Sequence, residues 1–371
     1  MRDPRLEKLA NILVNYSTKV KKGEKVLISS HLVARPLIIE VVKAVQRAGA
    51  YPYVELIDDE IVRATRMSVE EEYFEYLAKW RSVQYQDTDA YIAIRAVQND
   101  SEMSDVPLEN KKLASRMLQP ISRILIDEKK WVLLNYPTYG LAQKAQMSYE
   151  QFFDFLIDVC TVDYQKMSES MQSLKALMER TDKVRIIGPG TDLRFSIKGI
   201  PAIPCAGECN IPDGEIFTAP IKESVEGTIT YNTPSPYQGI VYQNVSLTFE
   251  KGRIVKCTAD NNQEQLEDIF NTDEGARYVG EFALGVNNAI TRPMGDILFD
   301  EKIGGSLHFT PGACYQGEAD NGNQSAIHWD LVLIQTPEYG GGEIYFDDVL
   351  IRKDGQFVLD ELKSLNGDNV K

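Results

Sequence analysis

Apolar residues recur at helical spacing in the opening stretch DPRLEKLANILVNYS, at Leu6, Leu9, Ile12 and Leu13. The next run, GEKVLISS, is a short apolar segment opened by Gly23. The pattern predicts a helix and then a strand. VARPLIIEVVKAVQRAGA reads as a second helix closed by Gly49, and YPYVEL as a second strand. This order from Lys25 to Leu56 predicts a parallel βαβ unit. Further apolar runs at residues 90–96 (AYIAIRA) and 123–138 (RILIDEKKWVLLNYPT) are separated by polar helical segments. The first third is therefore expected to be α/β with a parallel sheet.

A long helical region, SYEQFFDFLIDVC through SESMQSLKALMERTD, leads to KVRIIGPGTDLRFSIKG, and there the pattern changes. Beyond Thr181 the chain is rich in glycine, proline and short β-like runs (TITYNT, VSLTFEKGRIVKCTA, GEIYFDDVLIRKDGQFVL). Lys251-Gly252 and Asp354-Gly355 are hairpin signals. The expectation is an N-terminal α/β domain over residues 1–180 and a β-rich α+β domain over residues 181–371 that carries the functional site. GPGTD, at residues 188–192, lacks the lysine and following helix of a phosphate loop, and YGGGE reads as a tight loop.

The length, 371 residues, exceeds what one ordinary core supports, which agrees with two domains. Forty Lys+Arg against 55 Asp+Glu give a net charge of −15, which repels phosphate backbones and excludes nucleic acid as the expected partner. No stretch reaches the roughly 18 to 20 apolar residues of a membrane span, and MRDPRLEKLA is too charged for a signal peptide, so a cytoplasmic location is expected. Five cysteines without regular spacing do not form a disulfide framework. The pair Cys205 and Cys209 lacks the second pair that a thiolate zinc site uses.

Chemistry enters with NQSAIHWDLVLIQT, where one of three histidines, His328, stands two residues before Asp330 in a run that reads as a buried strand. Residues i and i+2 of a strand share a face, so both groups are expected to project together while Trp329 takes the other side. Ionisable groups at such a position are costly unless compensated, and a metal ion compensates them; the alternative is a self-satisfied His–Asp hydrogen bond. His308 lies only 20 residues earlier in GGSLHFTPGACY, whereas His31 has no acidic motif around it and reads as structural or loop-exposed. Glu215 comes directly after a Pro212-Asp213-Gly214 turn, and Glu281 sits inside the apolar stretch ARYVGEFALG. Two histidines, two glutamates and an aspartate suit Zn, Co, Mn or Fe. Five such ligands exceed one tetrahedral site and fit two metals joined by a bridging carboxylate.

The motifs IPDGEIFTAP, GEFALG, GGSLHFTPGACY and NQSAIHWDL, in this order, resemble the ligand motifs of the thermophilic-type metallo-aminopeptidases, the aminopeptidase T and aminopeptidase S family, peptidase family M29. The opening YSTKVKKGEKVLISS…RPLIIEVVKAVQRAGAYPYVEL resembles that family's N-terminal domain. The resemblance implies Glu215, Glu281, His308, His328 and Asp330 as metal ligands, with Glu281 as the bridge. It further implies Glu301 of FDEKIGG as a member of the metal site and Tyr315 as an active-site tyrosine. The implied activity is release of N-terminal amino acids from peptides with a free N-terminus, with two divalent ions (Zn, Co, Mn or Mg) as cofactors and a homodimer as the assembly. The alternatives are an iron-dependent dioxygenase that opens dihydroxypyridine rings on the same scaffold, and a non-catalytic binding protein that keeps the fold.

Overall fold

The computed structural model describes residues 3–367 and resolves into two compact units. One comprises the residues up to Thr161 together with Gly207–Ile211, the other Val162–Ala206 together with the residues from Pro212 onward.

The first unit is built on a parallel sheet in the order Tyr51–Ile57, Lys25–His31, Ala90–Arg95, Lys130–Asn135, Asn210–Ile211. Helix Arg35–Arg47 connects the first two strands of the chain, as the βαβ pattern predicts, and Gly49 comes just after it with φ +75°. The opening helix Pro4–Asn11 starts on Asp3, whose carboxylate accepts the Arg5 N–H, and passes into a wider π-helical turn, Ile12–Ser17. That turn carries Leu13 and Val14 into the core and leaves Ile12 half-buried, a shift that ideal helical spacing does not anticipate. The apolar run at residues 123–138 divides in two: its beginning ends helix Leu108–Asp127, and only Lys130–Asn135 is strand.

The second unit contains two large antiparallel sheets and a short two-stranded one, Ser235–Tyr237 with Ile240–Tyr242. The larger has the order Arg253–Thr258, Ser246–Glu250, Glu226–Thr230, Thr191–Ser196, Lys183–Gly188, Glu343–Phe346, Val349–Lys353, Gln356–Phe357. Both anticipated hairpins occur in it: Lys251 and Gly252 have φ +48° and +79°, Asp354 and Gly355 +49° and +79°, the left-handed pair a two-residue turn requires. The smaller sheet has the order Val332–Ile334, Ser306–Pro311, Val279–Gly285, Glu215–Thr218, Ile203–Cys205. An aromatic core joins the sheets, with Phe195 of the larger 5.0 Å from Phe282 and 4.9 Å from Phe309 of the smaller, ring centre to ring centre. GPGTD is the turn between Lys183–Gly188 and Thr191–Ser196.

Candidate metal centre

Strand alternation builds the site. Phe282 and Phe309 point into the aromatic core, so their neighbours Glu281 and His308 face the other side of the smaller sheet. Register brings them close, because Ala283 lies opposite His308 and Glu281 opposite Thr310, while Gly285 lies opposite Glu215. Glu215 enters its strand from the Pro212-Asp213-Gly214 turn. Gly214 has φ +134°, and a Cβ there would lie 2.7 Å from the Asn287 Cβ, so only glycine fits.

His328 and Asp330 turn to one side, as their spacing predicts, and Trp329 turns to the other. Their polar atoms meet at 3.2 Å (His328 Nε2 to Asp330 Oδ1), and Trp329 packs among Tyr237, Tyr242 and Phe270 at 4.9, 5.3 and 6.0 Å. The expected continuous strand is corrected, however. Regular pairing covers only Val332–Ile334, with an isolated bridge between His328 and Gly312. Pro311 on the neighbouring strand accepts the Trp329 N–H but has no N–H to return, and Gly312 bends the backbone at φ +107°.

All six expected donors come together, with Glu281 between the two histidines. Its Oε1 lies 3.2 Å from His308 Nε2 and its Oε2 3.2 Å from His328 Nε2. Glu215 Oε2 lies 3.3 Å from the same His308 nitrogen. Two groups emerge whose donor atoms lie within 4.8 Å of one another, Glu215–Glu301–His308 and Glu281–His328–Asp330. His328 donates its Nδ1–H to the Ala313 carbonyl at 2.7 Å, which orients the ring and turns Nε2 to the carboxylates. Asp330 accepts from the Thr310 hydroxyl at 2.8 Å. Glu215 Oε2 and His328 Nε2 are buried yet make no hydrogen bond, as suits ligand atoms, and the N/O donor set fits divalent ions.

The electrostatics of the metal-free protein reflect this crowding. Burial alone would depress both histidines, but Glu215, Glu281 and Asp330 outweigh it, pushing His308 up to about 10 and His328 up to about 12. Burial raises Glu301 to about 8 despite the adjacent Lys302. Glu215 is likewise raised by burial. Burial works against Asp330 too, but His328 beside it holds its carboxyl well below the usual range.

Glu301 stands at the end of the short helix Ile297–Asp300, which carries it to Glu215 and His308. Tyr315 borders the cluster, its ring 5.2 Å from His328 and 5.0 Å from Phe217, and it is 47% exposed. Desolvation of the hydroxyl, reinforced by Glu281 and Asp330, raises its pKa, so it stays a protonated donor. His31 belongs to the first unit, where Nδ1 accepts the Ala96 N–H and Nε2 lies 3.2 Å from Asp59. Neither donor group includes a cysteine, and burial pushes the Cys205 thiol up. Sequence reasoning missed Lys302, which is 1% exposed and paired with Asp213, Glu215 and Glu301. Its local sequence, FDEKIGG, shows only a lysine directly after two acids, which does not distinguish it from a solvated surface lysine.

The model of the thermophilic metalloprotease family (M29) matches residues 2–357. The chain belongs to that family. Among M29 relatives, aminopeptidase 2 of Geobacillus stearothermophilus is 23% identical, the match covering 95% of each chain. Aminopeptidase T of Thermus thermophilus is 24% identical over 88% of this chain and 92% of its own. The solved structure of wild-type AmpT from Thermus thermophilus superposes with a TM-score of 0.82 at 22% identity, covering 96% of this chain and 99% of the other, and so shares the fold. Membership in a family of metalloproteases makes the chain a metal-using hydrolase of peptide bonds, and the dioxygenase alternative finds no support in it. Among the described residues no helix is long and apolar enough to cross a membrane.

Proposed function

We propose that the protein is an aminopeptidase that releases N-terminal amino acids from peptides at a dinuclear metal site in its second unit. The observation that carries this reading is Glu281, whose two oxygens each lie 3.2 Å from a different histidine, one in each donor group. Such a carboxylate is suited to bridge. Glu215, Glu301 and His308 would hold one divalent ion (Zn, Co, Mn or Mg), His328 and Asp330 the other, and Glu281 both. When bound, ions at such donors supply a water of lowered pKa and polarise the scissile carbonyl.

The chain's own groups do the rest. Asp330 and His328 form the more accessible edge of the cluster, with side chains 17% and 28% exposed, and a substrate's free, unprotonated α-amine would reach the ion held there or a nearby acid. Tyr315, protonated and beside His328, donates a hydrogen bond to the oxyanion that develops on the carbonyl. The aminopeptidase names of the M29 relatives support the choice of a free N-terminus as the recognised group.

The test is hydrolysis of a panel of aminoacyl substrates beside their N-acetylated counterparts, after chelation and after metal is restored. Only free-amine substrates should be cleaved, and only with metal; equal cleavage of the blocked peptides removes the aminopeptidase reading. Tyr315→Phe should lower kcat about 10²- to 10³-fold with KM little changed, the usual cost of one oxyanion donor. An unchanged kcat would show that Tyr315 only lines the site. We also propose a cytoplasmic homodimer, and a stable species of 41.8 kDa in sedimentation would exclude the dimer.

A further inference from the structure

We propose that Lys302 sets the two metal positions apart in affinity, so that the ion at Glu281–His328–Asp330 is held tightly and the ion at Glu215–Glu301–His308 exchanges. The inference rests on the two-position reading above and concerns what makes those positions unequal.

Lys302 is buried, and each of its ion pairs lies on one side of the cluster. Its Nζ is 2.9 Å from Glu301 Oε1 and 3.5 Å from Asp213 Oδ1, and it pairs with Glu215 Oε1. Two of these partners are donors of a single group. Glu215 is thereby divided, with Oε1 held by the lysine and Oε2 turned to His308 Nε2 at 3.3 Å. A divalent ion entering this group meets carboxylates that already neutralise a fixed ammonium, and that ammonium repels it across a buried, poorly screened distance.

Among the described residues no lysine or arginine forms an ion pair with the other group. Asp330 is supported by the neutral Thr310 hydroxyl, and His328 by the Ala313 carbonyl. An ion there, once it has displaced the His328 proton, faces Glu281 and Asp330 with no fixed ammonium paired to them. Lys302 also explains how the fold tolerates departure of the weaker ion. Asp213 and Glu215 are buried and Glu301 is largely so, and one buried lysine permanently offsets part of their charge. Lys302 is thus a positioning residue that acts through the donors it touches, Glu215 and Glu301.

The experiment is calorimetric titration of the chelated protein with Co²⁺ alone, in wild type, Lys302→Met and Lys302→Gln, with Glu301→Gln to identify the weaker step. Wild type should take up two ions with dissociation constants at least about tenfold apart, and Glu301→Gln should lose the weaker. Lys302→Met should tighten the weaker step at least about tenfold and leave the stronger within about threefold, since it removes a repelling charge. Lys302→Gln, which keeps a hydrogen-bond donor without the charge, should behave the same way, and the stronger step reports that each variant is folded. Equal wild-type affinities, or a weaker step that loosens or stays unchanged in both lysine variants, overturn the proposal. One ion in wild type and two in Lys302→Met would refute the dinuclear reading of the native protein while upholding the role of Lys302. One ion in every form would refute both.

Discussion

Glu281→Ala is expected to remove both metal ions and reduce peptide hydrolysis on the order of 10⁴-fold or more, about 5.5 kcal/mol of transition-state stabilisation. The reason is geometric. Glu281 Oε1 serves the His308 side and Oε2 the His328 side, so one truncation takes a donor from each position, which no other candidate ligand does. The residue is 3% exposed, and its loss also leaves each imidazole with one neighbouring carboxylate instead of two, Glu215 beside His308 and Asp330 beside His328. Metal content by mass spectrometry and turnover should therefore fall together. Trp329→Phe is the control: the indole sits among Tyr237, Tyr242 and Phe270, turned from the donors, and the variant should keep its metal. Full occupancy in Glu281→Ala with only a modest loss of rate would end the bridging assignment.

Features governed by a period or by a fixed local geometry were legible in the sequence. The βαβ unit from Lys25 to Leu56 announces itself through apolar periodicity, and the two Xaa-Gly hairpins through residues that accept positive φ. The shared side of His328 and Asp330 comes from an i, i+2 spacing that survives the loss of regular pairing, because the backbone stays extended enough to alternate. The interruption itself was present in the sequence as Pro311-Gly312, but on the neighbouring strand, and register must be known before its effect can be assigned. Lys302 was hidden for a related reason. A lysine is ordinarily solvated, and nothing local says that the short helix Ile297–Asp300 ends against Glu215 and Asp213, almost 90 positions earlier in the chain. Asn210–Ile211, which extends the parallel sheet of the first unit, is too short to carry any period.

Chelation should lower the melting temperature on the order of 10 °C at pH 8, and the drop should grow with pH. An ion present at about 1,000 times its dissociation constant adds about 4 kcal/mol to the folded state, and each kcal/mol moves the midpoint of a domain of 150–250 residues by about 2–4 °C. The pH dependence has a definite sign. In the metal-free protein His308 is raised from 6.5 to about 10 and His328 from 6.5 to about 12, so their charged pairs with Glu215, Glu281 and Asp330 stabilise the fold fully below about pH 6.5. That stability is lost as pH rises through the folded values. Metal binding needs the same nitrogens unprotonated, so an ion must displace their protons, and its apparent affinity rises with pH over the same window. The metal-free form thus weakens as the loaded form gains. Melting curves with and without chelator at pH 6, 7, 8 and 9 should diverge steadily. A gap that stays constant or narrows toward pH 9 would mean that His308 and His328 do not exchange protons for metal.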